Sequence, residues 1–333
     1  MALGRLGAAL TAREIRELVQ ADLQRVEREI GLETLAPAEA ITAISRHLQS
    51  NGGKRLRPML LLLANKLVGE TGDLAIKLGA VVEMIHGATL VHDDVIDDAR
   101  TRRGKPSANV LWGNQTCVLA GDWLYMQAFH MALRERSFPV LDILIALTQT
   151  MVEGELRQLE TLGRANITEA DYMELVDRKT ASLFAACARL GAISAGASEA
   201  DETRLHDFGW NLGMAFQLID DILDFTSDEG TLGKPVGNDL REGKVTLPLI
   251  YVLQDAPPEE AALVQCVLRD RSYENVSFTQ VRDLLARYRG IERARARAQV
   301  FTDKARAIIG SFPASPYQRA LRAVTDLITD RDH

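Results

Sequence analysis

One spacing occurs twice in this chain and limits what it can become. Leu90-Val91-His92-Asp93-Asp94-Val95-Ile96-Asp97-Asp98 and Gln217-Leu218-Ile219-Asp220-Asp221-Ile222-Leu223-Asp224 each place Asp-Asp-x-x-Asp at the end of an apolar run of helical period. Residues i and i+4 share a helix face, so Asp93 and Asp97 are expected to point one way, and Asp220 and Asp224 likewise. Carboxylates crowded beside Val, Leu and Ile repel one another and lose hydration. A cation between them removes both costs. Oxygen ligands with no Cys and little His suit Mg²⁺, which keeps waters and bridges carboxylates to phosphates. One such cluster is ordinarily a solvated helix face. Two, each after an apolar helix and before a basic loop, point to a shared metal–phosphate site.

The rest of the chain reads as helix. Thr11 to Glu14 form a capping box, and Ile15, Leu18, Val19, Leu23, Val26 and Ile30 make one stripe that ends at Gly31. Further helices are expected at about 116–134, 138–162, 169–195, 199–226, 243–254, 258–269, 278–289, 292–310 and 315–329, with a loop from Arg100 to Ser107. Aromatics are only 5% of the residues and no period-2 alternation is sustained, which disfavours a sandwich. No linker rich in Ser, Pro or Gly divides the chain. The expected fold is one all-α domain, residues 1–333, a helical bundle around a central cavity, with the helix at about 11–30 peripheral.

Composition excludes several functions. A net charge of −7 argues against nucleic-acid binding, which needs a basic face. Cys117, Cys187 and Cys266 are scattered, so neither a disulfide framework nor a zinc site is expected, and a cytoplasmic location is. No run approaches the ~18 uninterrupted apolar residues of a membrane span. Glu83-x-x-His86 matches half of a di-iron bundle signature, but no second copy exists.

Basic residues fall where phosphates would need them. Arg102 and Arg103 follow the first motif in Thr101-Arg102-Arg103-Gly104-Lys105-Pro106. Adjacent arginines usually diverge, so each can serve a different anion, and guanidinium groups grip phosphate bidentately. Gly52-Gly53-Lys54-Arg55-Leu56-Arg57-Pro58 combines close backbone approach with cations at a helix start. Lys179-Thr180 lies mid-helix, and Lys234 and Lys244 follow the second motif.

Taken in order, Gly-Gly-Lys-Arg-Leu-Arg-Pro, the first Asp motif with Arg-Arg-Gly-Lys-Pro, Lys-Thr-Ala-Ser-Leu-Phe, and Phe216-Gln217 with the second Asp motif through Asp239-Leu240-Arg241-Glu242-Gly243-Lys244 resemble the trans-polyprenyl diphosphate synthases over residues 10 to 330. The resemblance is strongest to the long-chain bacterial branch, the octaprenyl, heptaprenyl and decaprenyl enzymes, which Glu153-Gly154-Glu155 and Gln158 also fit. It implies two or three Mg²⁺ ions, with Mn²⁺ as substitute, held by Asp93, Asp97 and Asp220 and supported by Asp94, Asp221 and Asp224. It implies that Arg102, Lys179, Lys234 and Lys244 hold the allylic diphosphate primer, with Thr180 and Gln217 lining the reacting carbons. Isopentenyl diphosphate would then rest on Lys54, Arg57, His86 and Arg103. His86 stands two turns before Asp93 on roughly the same face, at the mouth of such a site.

Short-chain members carry bulky aromatics one turn before the first Asp motif, where this chain has Ala88 and Thr89. Back to Val81 and Ile85 the face runs about 18 Å without an aromatic stop, which implies a product of roughly C35 to C50, a quinone side-chain precursor. Met126 and Phe129 are candidate floor residues. A shorter-chain synthase, a terpene cyclase or head-to-head condensing enzyme, and a subunit of a heteromeric synthase are the competing readings. Intact Arg57 and Arg103 favour elongation, and six intact motif carboxylates favour an active chain. A homodimer through the helix at 116–134 is expected, with peripheral membrane contact for product release.

Overall fold

The structure, a computed structural model, describes residues 10–36, 38–50, 53, 55–69, 72–227 and 236–329. Lys54 and Lys234 lie outside the described residues. Helices α1 (Ala12–Glu17), α2 (Gln20–Glu33), α3 (Glu39–Ser50), α4 (Leu56–Val68) and α5 (Asp73–Ile96) lead to a small hairpin, β1 (Thr101–Arg102) and β2 (Lys105–Pro106). Then come α6 (Ala108–Trp112), α7 (Asn114–Arg134), α8 (Phe138–Thr161), α9 (Glu169–Val176), a π-helical turn (Asp177–Ala181), α10 (Ser182–Ser194) and α11 (Glu199–Thr226). The chain finishes with α12 (Asn238–Arg241), α13 (Leu247–Asp255), α14 (Pro258–Asp270), α15 (Phe278–Arg287), α16 (Gly290–Gly310) and α17 (Pro316–Thr329). The fold is all-α, as its periodicity requires. Capping boxes at Thr11/Glu14, Thr168/Asp171 and Ser277/Gln280 satisfy the free N–H groups that open α1, α9 and α15.

Two long central helices, α5 and α11, carry the acidic motifs at their C-terminal ends. α5 is packed between α7, α4 and α2, and α11 between α10 and α16. By length and composition alone α5 is apolar enough to cross a membrane. It is instead the core helix, with Ala75 through Val91 largely inaccessible. Lys77, Glu83 and His86 interrupt the apolar run without lowering its average much, so no uninterrupted span stands out in the sequence.

Several boundaries differ from expectation for local reasons. The first helix breaks between α1 and α2, yet Ile15, Val19, Leu23, Val26 and Ile30 are all buried in the main core. This segment is therefore not peripheral: α1 lies on α17, and α2 lies on α5 and α4. The expected loop at 100–107 forms an antiparallel hairpin pairing Thr101 with Pro106 and Arg102 with Lys105. Its two turn residues, Arg103 (φ +52°) and Gly104 (φ +75°), both have positive φ, as a tight primed turn demands. The expected helix at 169–195 is interrupted by the π-helical turn, and α13 starts later than expected, after the short α12.

The π turn is wedged between two helices that approach through glycine. A Cβ on Gly213 of α11 would stand 2.6 Å from Ala181 Cα, and one on Gly154 of α8 would stand 2.9 Å from Arg178 Cβ. The extra residue per turn widens the backbone, and only side chains reduced to hydrogen leave room on both sides. Gly213→Ala is expected to cost about 1–3 kcal/mol through overpacking, read as a thermal midpoint several degrees lower. An unchanged midpoint would show that the turn relaxes freely.

Candidate active site

The acidic ends of α5 and α11 meet around two lysines. Asp93 is half-buried, and Asp97 caps α5, its N–H donating to the Asp93 carbonyl at 2.8 Å. Lys244 Nζ lies 3.3 Å from Asp97 Oδ2 and 2.8 Å from Glu242 Oε2. The same lysine lines a cavity of about 270 Å³ with Asp220, Asp221, Asp239, Lys179, Thr180 and Gln217. Lys244 therefore joins the two motifs. Lys179 Nζ lies 2.5 Å from Glu155 Oε2 and 3.1 Å from Gln158 Oε1.

The electrostatics show a surplus of negative charge. Burial pushes the Asp93 carboxyl up to about 6, Glu155 and Asp97 push the same way, and Lys179 and Arg102 oppose them. Burial alone would lower the Lys244 ammonium, but Asp97, Glu242 and Asp239 outweigh it and hold it above the usual lysine range. Among the described residues no three Asp, Glu, His or Cys side chains gather around one ion-sized space. Asp93, Asp97 and Asp220 border one charged region, in which Lys244 is bonded to Asp97 and lines the cavity beside Asp220.

The other three motif carboxylates turn inward. Asp94, expected to support the metal, is 1% exposed and accepts from Arg102 Nε at 2.8 Å. It braces the hairpin. Asp224, expected on the face of Asp220, is also buried. Four helical residues turn slightly more than a full circle, and the chain returning at 236–239 covers that side. Gly237 N–H donates to the Asp224 carbonyl at 2.8 Å and Asp239 N–H to its Oδ2 at 3.1 Å. Asp221 accepts from Tyr172 Oη at 2.6 Å and Gln217 Nε2 at 2.7 Å. Burial and Asp239 hold its carboxyl well above the usual range, against those two donors.

A second cavity, about 380 Å³, carries the opposite charge. Gly53, Arg55, Arg57, Glu83, His86 and Arg103 line one part of it, and apolar side chains including Met84, Leu90, Leu124 and Phe216 the remainder. Arg55 donates to Glu83 at 2.8 Å. Arg57 Nε is buried with no hydrogen-bond partner among the described residues. Burial, then the charge of Arg103, lowers the Arg57 guanidinium, Glu83 and Cys187 opposing. Burial, then Arg57, Arg102, Arg103 and Arg55, drives His86 well below the usual histidine range. His86 is accordingly neutral near pH 7 in this state, and a bound anion would raise its proton affinity. Arg55 (φ 50°) and Arg103 (φ 52°) both hold left-handed backbone, which costs a non-glycine residue about 1 kcal/mol or more. Two left-handed arginines beside the buried, unbonded Arg57 Nε together mark an anion site.

Arg102 and Arg103 diverge as their adjacency suggests, one to Asp94 and the other to this cavity. Thr180 Oγ1 donates to Gln217 Oε1 at 2.8 Å, so these two expected residues do meet. Arg55, Glu83 and Tyr172 were missed. Arg55 was hidden among three neighbouring cations, and the partners of Glu83 and Tyr172 are set by tertiary packing. Of the proposed tunnel residues, Val81, Ile85 and Ala88 are wholly buried, and the Thr89 hydroxyl donates to the His86 carbonyl at 2.7 Å. Phe129 packs against the core, but Met126 is 64% exposed and is not a floor within this chain. It falls seven residues from both Leu119 and Leu133, on an outward stripe of α7.

The all-α fold thus holds two cavities of different charge, one lined by carboxylates with Lys179 and Lys244, the other by three arginines and His86. A sequence profile described as polyprenyl synthetase matches residues 38–285. The chain is 37% identical over 319 residues to octaprenyl diphosphate synthase of Escherichia coli (strain K12), covering 96% of this chain and 98% of that protein. The crystal structure of a polyprenyl synthase from Caulobacter crescentus CB15 complexed with calcium and isoprenyl diphosphate superposes with a TM-score of 0.92 at 38% identity, over 98% of this chain and all (100%) of that one. A decaprenyl diphosphate synthase from Rhodobacter capsulatus gives 0.92 at 35% identity, over 97% and 100%. The chain belongs to the polyprenyl synthetase family and is a prenyltransferase.

Proposed function

We propose that this chain adds isopentenyl diphosphate head-to-tail, in trans, to an allylic diphosphate primer and releases a long-chain polyprenyl diphosphate, a precursor of a quinone side chain. The observation that carries this reading is the pairing of sites: acidic helix ends with Lys179 and Lys244 on one side, and Arg55, Arg57, His86 and Arg103 on the other. The octaprenyl and decaprenyl relatives favour a long product, and so do the small Ala88 and Thr89.

Asp93, Asp97 and Asp220 would hold two or three Mg²⁺ ions, with Mn²⁺ as a substitute. Their hard oxygens fit, and a cation there would offset the burial and, after it, the neighbouring carboxylates that push Asp93 up. Bound Mg²⁺ supplies the charge that stabilises a departing diphosphate. Lys179, Lys244, Arg102 and Lys234 bind and orient the primer's diphosphate. Arg57, Arg103, His86 and Lys54 hold isopentenyl diphosphate, so its double bond faces the allylic carbon. The allylic C–O bond ionises, the alkene forms the new C–C bond, and a proton leaves C2 for a diphosphate oxygen. The new double bond restores an allylic diphosphate. No protein nucleophile is required, since alignment and charge carry the rate.

The chain is read as a single catalytic domain and as a homodimer. Val118, Leu119, Met126 and Leu133 of α7 and Val152 and Leu156 of α8 are exposed apolar side chains, which a second copy would cover. A cytoplasmic location fits three cysteines that form no disulfide. The test is incubation of the purified chain with labelled isopentenyl diphosphate, farnesyl diphosphate and Mg²⁺, followed by product sizing. Long prenyl chains that vanish on chelation and return with Mg²⁺ or Mn²⁺ are expected. No incorporation would overturn elongation, and a product stopping at C20 would overturn the long product.

A further inference from the structure

Three hydrogen bonds form a chain beside the position assigned to the reacting carbons. Thr180 Oγ1 donates to Gln217 Oε1 at 2.8 Å, Gln217 Nε2 to Asp221 Oδ1 at 2.7 Å, and Tyr172 Oη to Asp221 Oδ2 at 2.6 Å. Tyr172 is 3% exposed and its phenol is the buried end of the chain. The order of donors follows from chemistry. Tyr172 and Gln217 each donate to one oxygen of Asp221, so the Gln217 amide turns its NH₂ toward that carboxyl. Its carbonyl then faces Thr180 and can only accept. The Thr180 hydroxyl must therefore donate its proton inward, leaving its lone pairs for the cavity. Were the amide reversed, NH₂ would donate to Thr180, and the hydroxyl proton would face the cavity instead. The two states present opposite signs of partial charge to a carbon becoming cationic.

We propose that Tyr172 is a positioning residue that fixes this polarity. Its phenol clamps one Asp221 oxygen, which aims the other at Gln217, which in turn makes Thr180 offer lone pairs to the ionising allylic carbon. The proposal rests on the elongation reading above, but it concerns a residue that acts through Asp221, to which its hydroxyl is bonded. Three properties suit Tyr172 to the role. It is rooted in α9, next to the π turn that bears Thr180. Burial, Asp221 and the neighbouring carboxylates hold the phenol well above its usual range, so it keeps its proton. Its bond ends on the face of Asp221 opposite Gln217, so it constrains the chain without displacing any member of it.

The experiment measures the single-turnover rate of one condensation in the full chain, beside KM for both diphosphates and the Mg²⁺ concentration giving half activity. Tyr172→Phe keeps the ring and deletes the donor. Its rate is expected to fall about tenfold, with KM values and Mg²⁺ response within about twofold of wild type. In a Gln217→Ala background, where the chain is already cut, Tyr172→Phe should lower the rate less than about twofold further. Asp221→Asn keeps the shape but lets an amide donate toward Gln217, and it is expected to lose a similar factor; it also serves if Tyr172→Phe folds poorly. An unchanged rate in Tyr172→Phe or Asp221→Asn overturns the proposal. So does a full tenfold loss in the Gln217→Ala background, or an effect confined to Mg²⁺ response. Absence of elongation by the wild-type chain would defeat the functional reading itself, an outcome separate from these.

Discussion

Asp220→Ala is expected to lower turnover about a thousandfold, equivalent to about 4 kcal/mol of lost transition-state stabilisation, while leaving the fold intact. Asp220 is exposed on the acidic cavity beside Lys179 and Lys244, so its removal opens no void. Its charge also pushes the buried Asp221 carboxyl further up. The variant should therefore melt at or slightly above the wild-type temperature, since crowded like charges destabilise the folded state. A rate within tenfold of wild type would show that the second motif is not part of the diphosphate-activating site. A large fall in melting temperature would show that Asp220 is structural instead.

Ala88→Phe should shorten the product from a long chain to one of a few isoprene units. Ala88 lies just over one turn, about 7 Å, before Asp93 along α5, on a face continued by Ile85 and Val81. All three are wholly buried here, which sharpens the test. If this face opens to admit a growing chain, a phenyl ring fills that space and blocks it with little loss of stability. If it is solid core, the ring costs about 1–3 kcal/mol through overpacking and product length is unchanged. Product sizing beside a thermal melt separates these, and the second outcome would move the elongation path to another face of α5.

What the sequence revealed, and what it hid, divides by the range of the interaction responsible. The Asp motifs were legible because i and i+4 on a helix is a local rule, and so was the divergence of Arg102 and Arg103. Rotation within the second motif was not, because the segment that buries Asp224 arrives from residues 237 and 239. The π turn is invisible to an apolar pattern, since one extra residue barely shifts a 3.6 period. The two-residue strands of the hairpin were too short to alternate, although Arg103-Gly104 carried the turn signal. Met126 was misread because a heptad of apolar residues looks the same whether it faces a core or an outer surface. Tyr172 offered no signal at all: its partner lies 49 residues away.

The hairpin between β1 and β2 has one further consequence. Its two arginines are joined by a single peptide bond, and Asp94 ties the first of them to the end of α5. On the elongation reading, Arg102 serves the departing head group and Arg103 the incoming one. The backbones of these anchors are then one peptide unit apart, and the Asp94 bond holds the first side chain in place. Every cycle must begin from the same geometry however many units have been added, so the enzyme cannot measure its product at the reacting end. Length has to be sensed where the hydrocarbon stops.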